Sequence, residues 1–387
     1  SHYQWRELAR WGDRPLGQPL GIDVPLFDFQ AEAVEAFLAA GRGVVDLPPR
    51  SGKTRIGIAI AVRLGLPMLW VAPGVGIAKQ TEAAFAEFLG DQVLSVTGGR
   101  QSSKRERRLL HTQVWIATPK TAAKLPGIKS RRVLVIDEFH HAAAKTWQAV
   151  STAAVGCWWR LGLTGTHFRA DGRDMEMQGV LGRSVYQQSV ESMVGIGRLV
   201  PARIAMIRVR GAEAKGRSYY KDGVVNHAQR NALIAWVGQH LVHRGKRVLV
   251  LAKEVQHTRM LADQIPGAVA VDGGDNDAVD RALADLEAGR VPCVVGTSVI
   301  GEGRDVPGAD ALVYACAGRS RVKVTQDYFR VLTASPGKSV GLIVDFADTH
   351  GSTLAEHAAD RLLLYREEAA FDCRVIEATE FAGWLGR

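Results

Sequence analysis

The sequence predicts an α/β protein built from two sheet domains in tandem. Short β-branched runs alternate with helical stretches from about Gly43 onward, the pattern of parallel strands joined by crossover helices. The alternation stops at "GIGRLVPAR", Gly195 to Arg203, and then resumes. The chain's 387 residues also exceed what one hydrophobic core usually organises.

The expected strands of the first half are Val44 to Leu47, Met68 to Ala72, Val93 to Val96, Val114 to Ala117, Val133 to Asp137 and Arg160 to Thr164. Those of the second half are Ile204 to Val209, Val248 to Leu251, Val269 to Val271, Cys293 to Val295, Leu312 to Ala315 and Leu342 to Asp345, with a helix over Ala228 to His243. Most strands of the first half end in Pro, Gly, Thr or Asp, at the edge where open parallel sheets take ligands. The Gly/Pro break divides the chain into residues 1–198 and 199–387.

Composition narrows the function classes. With 47% hydrophobic and 23% charged residues the chain reads as globular, and no apolar run is long enough to span a bilayer, so no membrane partner is expected. Ser1 to Arg14 lacks the apolar stretch of a secretory leader, which points to a cytoplasm of bacterial or phage-host type. Cys157, Cys293, Cys316 and Cys373 lie too far apart for a zinc site or a disulfide framework. A formal charge of +9 favours a polyanionic partner.

Chemistry first shows itself in "VVDLPPRSGKT", a buried-type strand leading into Arg50, Ser51, Gly52, Lys53 and Thr54, followed by the helical "RIGIAIAVRL". Amides at a helix N-terminus cradle phosphates, a lysine reaches the β- and γ-phosphates, and the Thr54 hydroxyl ligates Mg²⁺. Leu47 stands where a phosphate loop usually begins with Gly. A second apolar strand, "RRVLVIDEFH", ends in Asp137 and Glu138, placing carboxylates where a phosphate-bound metal sits. Asp137 then holds Mg²⁺, and Glu138 polarises the attacking water.

Together these motifs resemble superfamily 2 helicases of the DExH type, and the likeness runs through nearly the whole chain. It leans toward DNA translocases such as the xeroderma pigmentosum group B helicase, phage UvsW and type I restriction motors. It implies two tandem RecA-like domains, with ATP and Mg²⁺ bound between them. "VPLFDFQAEAV" resembles the Q-motif, which implies that Gln30 bonds the adenine edge while Phe29 or a neighbour packs against it. "WVAPGVGIAKQ", "SVTGG" and "IATPKTA" are similar to the loops that touch the nucleic-acid backbone, implicating Pro73, Gly74, Gly98, Gly99, Thr118, Pro119 and Lys120. "LGLTGTHFRADGRD" looks like motif III, with Thr164 and Thr166 coupling the phosphate site to strand binding and His140 of "DEFH" joining them.

In the second half "VVGTSVIGEGRDVPGAD" resembles motif V. That likeness implies backbone contacts from Thr297 and Ser298, and nucleotide contacts from Gly303 and Asp305. "VKVTQDYFRVLTASPGKS" resembles motif VI, placing Gln326 and Arg330 at the ATP, but Phe329 replaces its Gly and Thr333 its last arginine. Phosphoryl transfer draws heavily on such arginines, so Arg330 acts alone or with Arg319 or Arg321 in support. The implied activity is ATP-driven movement along single-stranded or branched DNA by a monomer. An ATP-gated clamp or annealing protein with weak turnover, and an RNA helicase, are the alternatives.

Overall fold

The computed structural model describes residues 15–96, 111–138, 144–165, 179–211, 219–297 and 306–386. The chain forms two compact units, Ser1–Gln188 and Ser189–Arg387.

The first unit holds strands β1 (Arg42–Asp46), β2 (Met68–Val71), β3 (Val93–Val96), β4 (Val114–Ala117), β5 (Val133–Asp137), β6 (Trp159–Thr164) and β7 (Ser184–Gln187). They form one sheet in the order β3-β4-β2-β5-β6-β1-β7, and every neighbouring pair is parallel. The inner strands β2, β4 and β5 read as nearly unbroken apolar runs, and β1 and β6 are buried along almost their whole length as well, as strands covered on both faces are. Helices Asp28–Ala40, Lys53–Leu64 and Val75–Leu89 supply part of that cover, with Phe37 and Phe85 fully buried.

The second unit holds β8 (Ala202–Val209), β9 (Val248–Ala252), β10 (Ala268–Val271), β11 (Cys293–Thr297), β12 (Ala311–Tyr314), β13 (Gly341–Asp348) and β14 (Phe371–Ile376). Their order is β10-β11-β9-β12-β13-β8-β14, again wholly parallel. Numbered from its own first strand, this sheet has the same strand order as the first. The helix Ala228–His243 lies where the sequence places it.

Two edge strands, β7 and β14, were not among the expected ones. Each is half exposed, so neither shows the continuous apolar run that marks an inner parallel strand. The boundary expected after Arg198 falls inside the lead segment of the second unit. Val200 donates its N–H to Leu332 O at 2.8 Å, Leu199 bridges Thr333, and Ala334 donates to Arg198 O at 3.2 Å, which ties residues 198–200 to the second sheet. Cys157, Cys293, Cys316 and Cys373 are free thiols. Among the described residues no helix is long and apolar enough to cross a membrane.

Candidate active site

Because all strands of the first sheet are parallel, its motifs collect at one edge. The loop after β1 is rooted by Leu47, whose N–H donates to Thr164 O at 3.0 Å. At this position, where phosphate loops usually carry glycine, the Leu47 backbone does the anchoring and its side chain is fully buried. Arg50 and Gly52 adopt left-handed backbone, with φ of 72° and 73°. A Cβ on Gly52 would lie 2.5 Å from Gln30 Nε2, so space as well as conformation requires glycine there. The helix Lys53–Leu64 then starts with its first amides lacking helical partners, which is the geometry that receives an anion.

Lys53 Nζ lies 3.3 Å from Leu47 O and 3.4 Å from Glu138 Oε1. Its place is kept open by Gly165, at the end of β6, where a Cβ would come within 2.9 Å of that ammonium and 3.2 Å of the Pro49 ring. Asp137 ends β5 in a buried position. Burial first, and then the Glu138 charge, raise its carboxyl well above the usual carboxylate range, while Lys53 pulls the other way. Glu138 is left-handed, with φ of 45°, and its N–H donates to Leu163 O at 2.9 Å. That turn brings its carboxylate back toward Lys53.

Three features fit a metal-bound triphosphate. Ser51 Oγ is buried with no hydrogen-bond partner among the described residues. Asp137 and Glu138 bring two carboxylates to the same place as Lys53, a donor set that a divalent cation can join. Thr54 is half-buried on the first turn of the helix after the loop. Among the described residues no group of three His, Cys, Asp or Glu could hold a metal unaided, so Mg²⁺ here would depend on substrate oxygens.

Gln30 has a structural task. Its Nε2 donates to Ser51 O at 2.8 Å, and its Oε1 accepts from Phe27 N–H at 3.1 Å, so one amide braces both the phosphate loop and the start of the helix Asp28–Ala40. Phe29 is buried at 5% exposure, while Phe27 is 47% exposed and stacks on it with centroids 6.1 Å apart. Of the two rings, Phe27 is the one open to a base.

The other first-unit candidates share the same sheet edge. Pro73 and Gly74 follow β2, with Gly74 capping the helix Val75–Leu89. Thr118 precedes the short helix Pro119–Ala122 and pairs with Thr121 through their hydroxyls at 3.1 Å, while Lys120 is exposed. Thr164 is buried at the end of β6. In the second unit Thr297 ends β11 and Gln326 lies on the helix Arg321–Tyr328. Arg330 is 3% exposed and held by Asp327, whose Oδ1 accepts from Nη2 at 2.9 Å and from Nε at 3.2 Å. Gly98, Gly99, His140, Thr166, Ser298, Gly303 and Asp305 lie outside the described residues.

Sequence reasoning missed Gly165 as the lysine's spacer, Phe27 as the open ring and Asp327 as the partner of Arg330. Only the last carried a signal, an acid three residues before an arginine on a helix.

Two family models match the chain. Residues 23–169 match the family described as "Type III restriction enzyme, res subunit", and residues 229–332 match the "Helicase conserved C-terminal domain". The chain is 22% identical over 343 residues to "DNA 3'-5' translocase XPB2" of Sulfurisphaera tokodaii, covering 77% of this chain and 76% of that protein. It is 26% identical over 357 residues to "DNA 3'-5' helicase XPB" of Mycobacterium tuberculosis, covering 89% of this chain and 64% of that one. The "ATP-dependent DNA helicase uvsW" of phage T4 is 22% identical over 378 residues, with 88% and 75% covered. The solved structure of the DNA-bound Type ISP restriction-modification enzyme LlaBIII superposes with a TM-score of 0.68 at 15% identity, covering 94% of this chain and 32% of that one. Yeast Dbp5 bound to RNA and ADP BeF3 superposes with a TM-score of 0.63 at 13% identity, covering 92% and 91%. At these identities both structures speak to the fold alone.

Proposed function

We propose that this chain, which carries the paired domains of a DExH-type superfamily 2 helicase, hydrolyses ATP to move along or remodel DNA. The observation that carries the reading is Lys53 held 3.4 Å from Glu138, beside the buried Asp137, at the mouth of a phosphate loop. Lys53 would leave Glu138 for the incoming phosphates, which frees the carboxylate to orient water. Thr54 and Asp137 would hold Mg²⁺, which when bound spreads the phosphate charge. Amides of Ser51, Gly52 and Lys53 would grip the phosphates, and Gln30 with the exposed Phe27 would meet the adenine.

Pro73, Gly74, Thr118, Pro119, Lys120 and Thr297 lie at or just beyond strand ends, where hydroxyls and amides suit the sugar-phosphate backbone and read no bases. DNA is favoured because the named relatives are DNA helicases and translocases. The reading places a monomer in the cytoplasm, in repair or recombination.

A second reading is an ATP-gated clamp with slow turnover. It is favoured by Arg330, already engaged by Asp327, and by Thr333 in place of the last motif VI arginine. Turnover measured while single-stranded DNA, branched duplex and RNA are titrated separates the readings. The motor requires DNA-stimulated hydrolysis that falls by about 100-fold or more in Lys53→Ala and Glu138→Gln. Unchanged rates in both variants reject the site assignment. Tight ATP-dependent DNA binding with negligible turnover in the wild type selects the clamp.

A further inference from the structure

The opposite edge of the first sheet, where the strands begin, gathers cations. Arg42 opens β1, Arg160 is the second residue of β6, Lys129, Arg131 and Arg132 precede β5, and Arg183 precedes β7. Arg42, Arg131, Arg132 and Arg160 all act electrostatically on the buried Cys157 thiol. A strand of five or six residues separates this edge from the phosphate loop by about 15–20 Å.

Arg131, Arg132 and Arg160 are held by neutral oxygens. Arg131 donates to Thr112 O at 3.0 Å and to Gln113 O at 3.4 Å, with its guanidinium 4.0 Å from the Trp115 ring centroid. Arg160 donates to Cys157 O at 3.1 Å and to Ala154 O at 3.3 Å. Arg132 donates to Lys129 O at 3.2 Å. Among the described residues no carboxylate pairs with Arg131, Arg132 or Arg160, although Arg131 and Arg160 are only 5% and 7% exposed. Burial, with like charge next door, lowers Arg42 and Arg131 to about 10. Among the described residues Arg131, Arg132 and Arg160 therefore carry positive charge with no carboxylate paired to it, and an anion arriving from solvent would relieve it.

The exposed part of the edge says which anion. Lys129, Arg132 and Arg183 face solvent, Trp158 is half-exposed with Arg42 5.9 Å from its ring centroid, and Val155 is 47% exposed. One exposed valine and one partly open tryptophan make too small an apolar centre for a specific protein interface. A row of cations across adjacent strands spaced about 4.8 Å apart suits the dense, regular charge of a duplex backbone.

Resting on the DNA reading above, we propose that the edge formed by Arg42, Lys129, Arg131, Arg132, Arg160 and Arg183 is a second nucleic-acid surface that holds the phosphate backbone of duplex DNA. The buried arginines supply field, and Lys129 and Arg132 supply contact. Such a surface would keep the duplex beside the motor while a strand is worked at the other edge.

The test is the full chain carrying Lys129→Glu and Arg132→Glu, with the milder Lys129→Ala and Arg132→Ala pair beside it and circular dichroism confirming the fold of both. Binding of a long duplex and of a short single strand is measured across a salt series, together with turnover stimulated by the short strand. The reversal pair should weaken duplex binding about 10-fold near physiological salt and lower the log–log salt slope by about 2, with the alanine pair between it and wild type. Turnover on the short strand should stay unchanged, so the patch is judged independently of the catalytic reading. Unchanged duplex affinity and slope in both pairs overturn the proposal. So does wild-type binding of polyglutamate as tight as of duplex, which would assign the edge to an acidic protein segment. Absence of DNA-stimulated turnover in the wild type would instead defeat the function reading alone.

Discussion

The two sheets share strand order and direction yet treat charge at their carboxyl edges in opposite ways. In the first unit Asp137 and Glu138 both face Lys53 at a partly open site. In the second, Asp345 and Asp348 on β13 each have their own guanidinium. Arg361 Nε lies 2.7 Å from Asp345 and Arg230 Nε 2.8 Å from Asp348, all four side chains being at most 1% exposed. Tyr365 adds its hydroxyl to Asp345 at 2.9 Å. Carboxylates that face an ammonium at a partly open site are free to exchange it for a metal or phosphates, as the proposed function requires. Two carboxylates with two guanidiniums close on themselves and become core. Exposure and pairing of charge, not topology, distinguish the two edges.

The largest expected effect follows from removing one carboxylate from each edge. Asp345→Ala would strand a buried guanidinium and a tyrosine hydroxyl, and should destabilise the second unit by about 3–5 kcal/mol. Asp137→Asn removes a desolvated charge next to Glu138, and should leave stability within about 0.5 kcal/mol of wild type or raise it. Urea unfolding of both variants decides the matter. Equal losses would mean that the first edge is as self-compensated as the second.

A smaller effect separates the units by pH. His257 is fully buried, with Nε2 2.9 Å from Asn231 Oδ1 and Nδ1 lacking a partner among the described residues. Burial, aided by the Arg230 charge, pushes it down to about 4. His227 is lowered too, by burial first and then by His350, and its Nδ1 must stay unprotonated to accept the Arg230 N–H that caps the helix Ala228–His243. Both groups bind protons more weakly folded than unfolded. Stability is therefore full above about pH 6.5 and falls as pH drops toward 4, by about 2 kcal/mol at pH 5 from His257 alone. Thermal melts from pH 7.5 to pH 5 should show the second unit loosening first, and His257→Gln should flatten that dependence.

What was legible in the sequence follows from the same physics. Inner strands could be read because burial on both faces demands unbroken apolar runs, whereas β7 and β14, wet along one side, left no such mark. That Lys53, Asp137 and Glu138 come together was readable because a loop after one parallel strand and acids ending another meet at the same sheet edge. Arg230 and Arg361 were not, since an arginine on a helix looks the same in sequence whether it meets water or a buried aspartate. Nor was the left-handed turn at Glu138, which depends on the β6 carbonyl it reaches.

The smallest expected effect tests whether Gln30 belongs to the binding edge or to the scaffold. Its amide spends one acceptor position on Phe27 N–H and one donor on Ser51 O, leaving one of each for an adenine edge. Gln30→Ala loses both contacts, and Ser51 O and the helix start must find water in a place that is 2% exposed. A cost of about 1–2 kcal/mol to the first unit follows. GTP separates the two roles, because guanine presents O6 and N1–H where adenine presents N6–H₂ and N1. If Gln30 only braces the loop, ATP and GTP should weaken together in the variant. If it also reads the base, ATP should weaken more, and the preference for ATP should narrow by about 10-fold, the worth of one hydrogen bond to a buried polar group. Unchanged melting temperature with lost ATP preference would make Gln30 a base reader alone, and would mean that the bond to Ser51 contributes nothing to the phosphate loop.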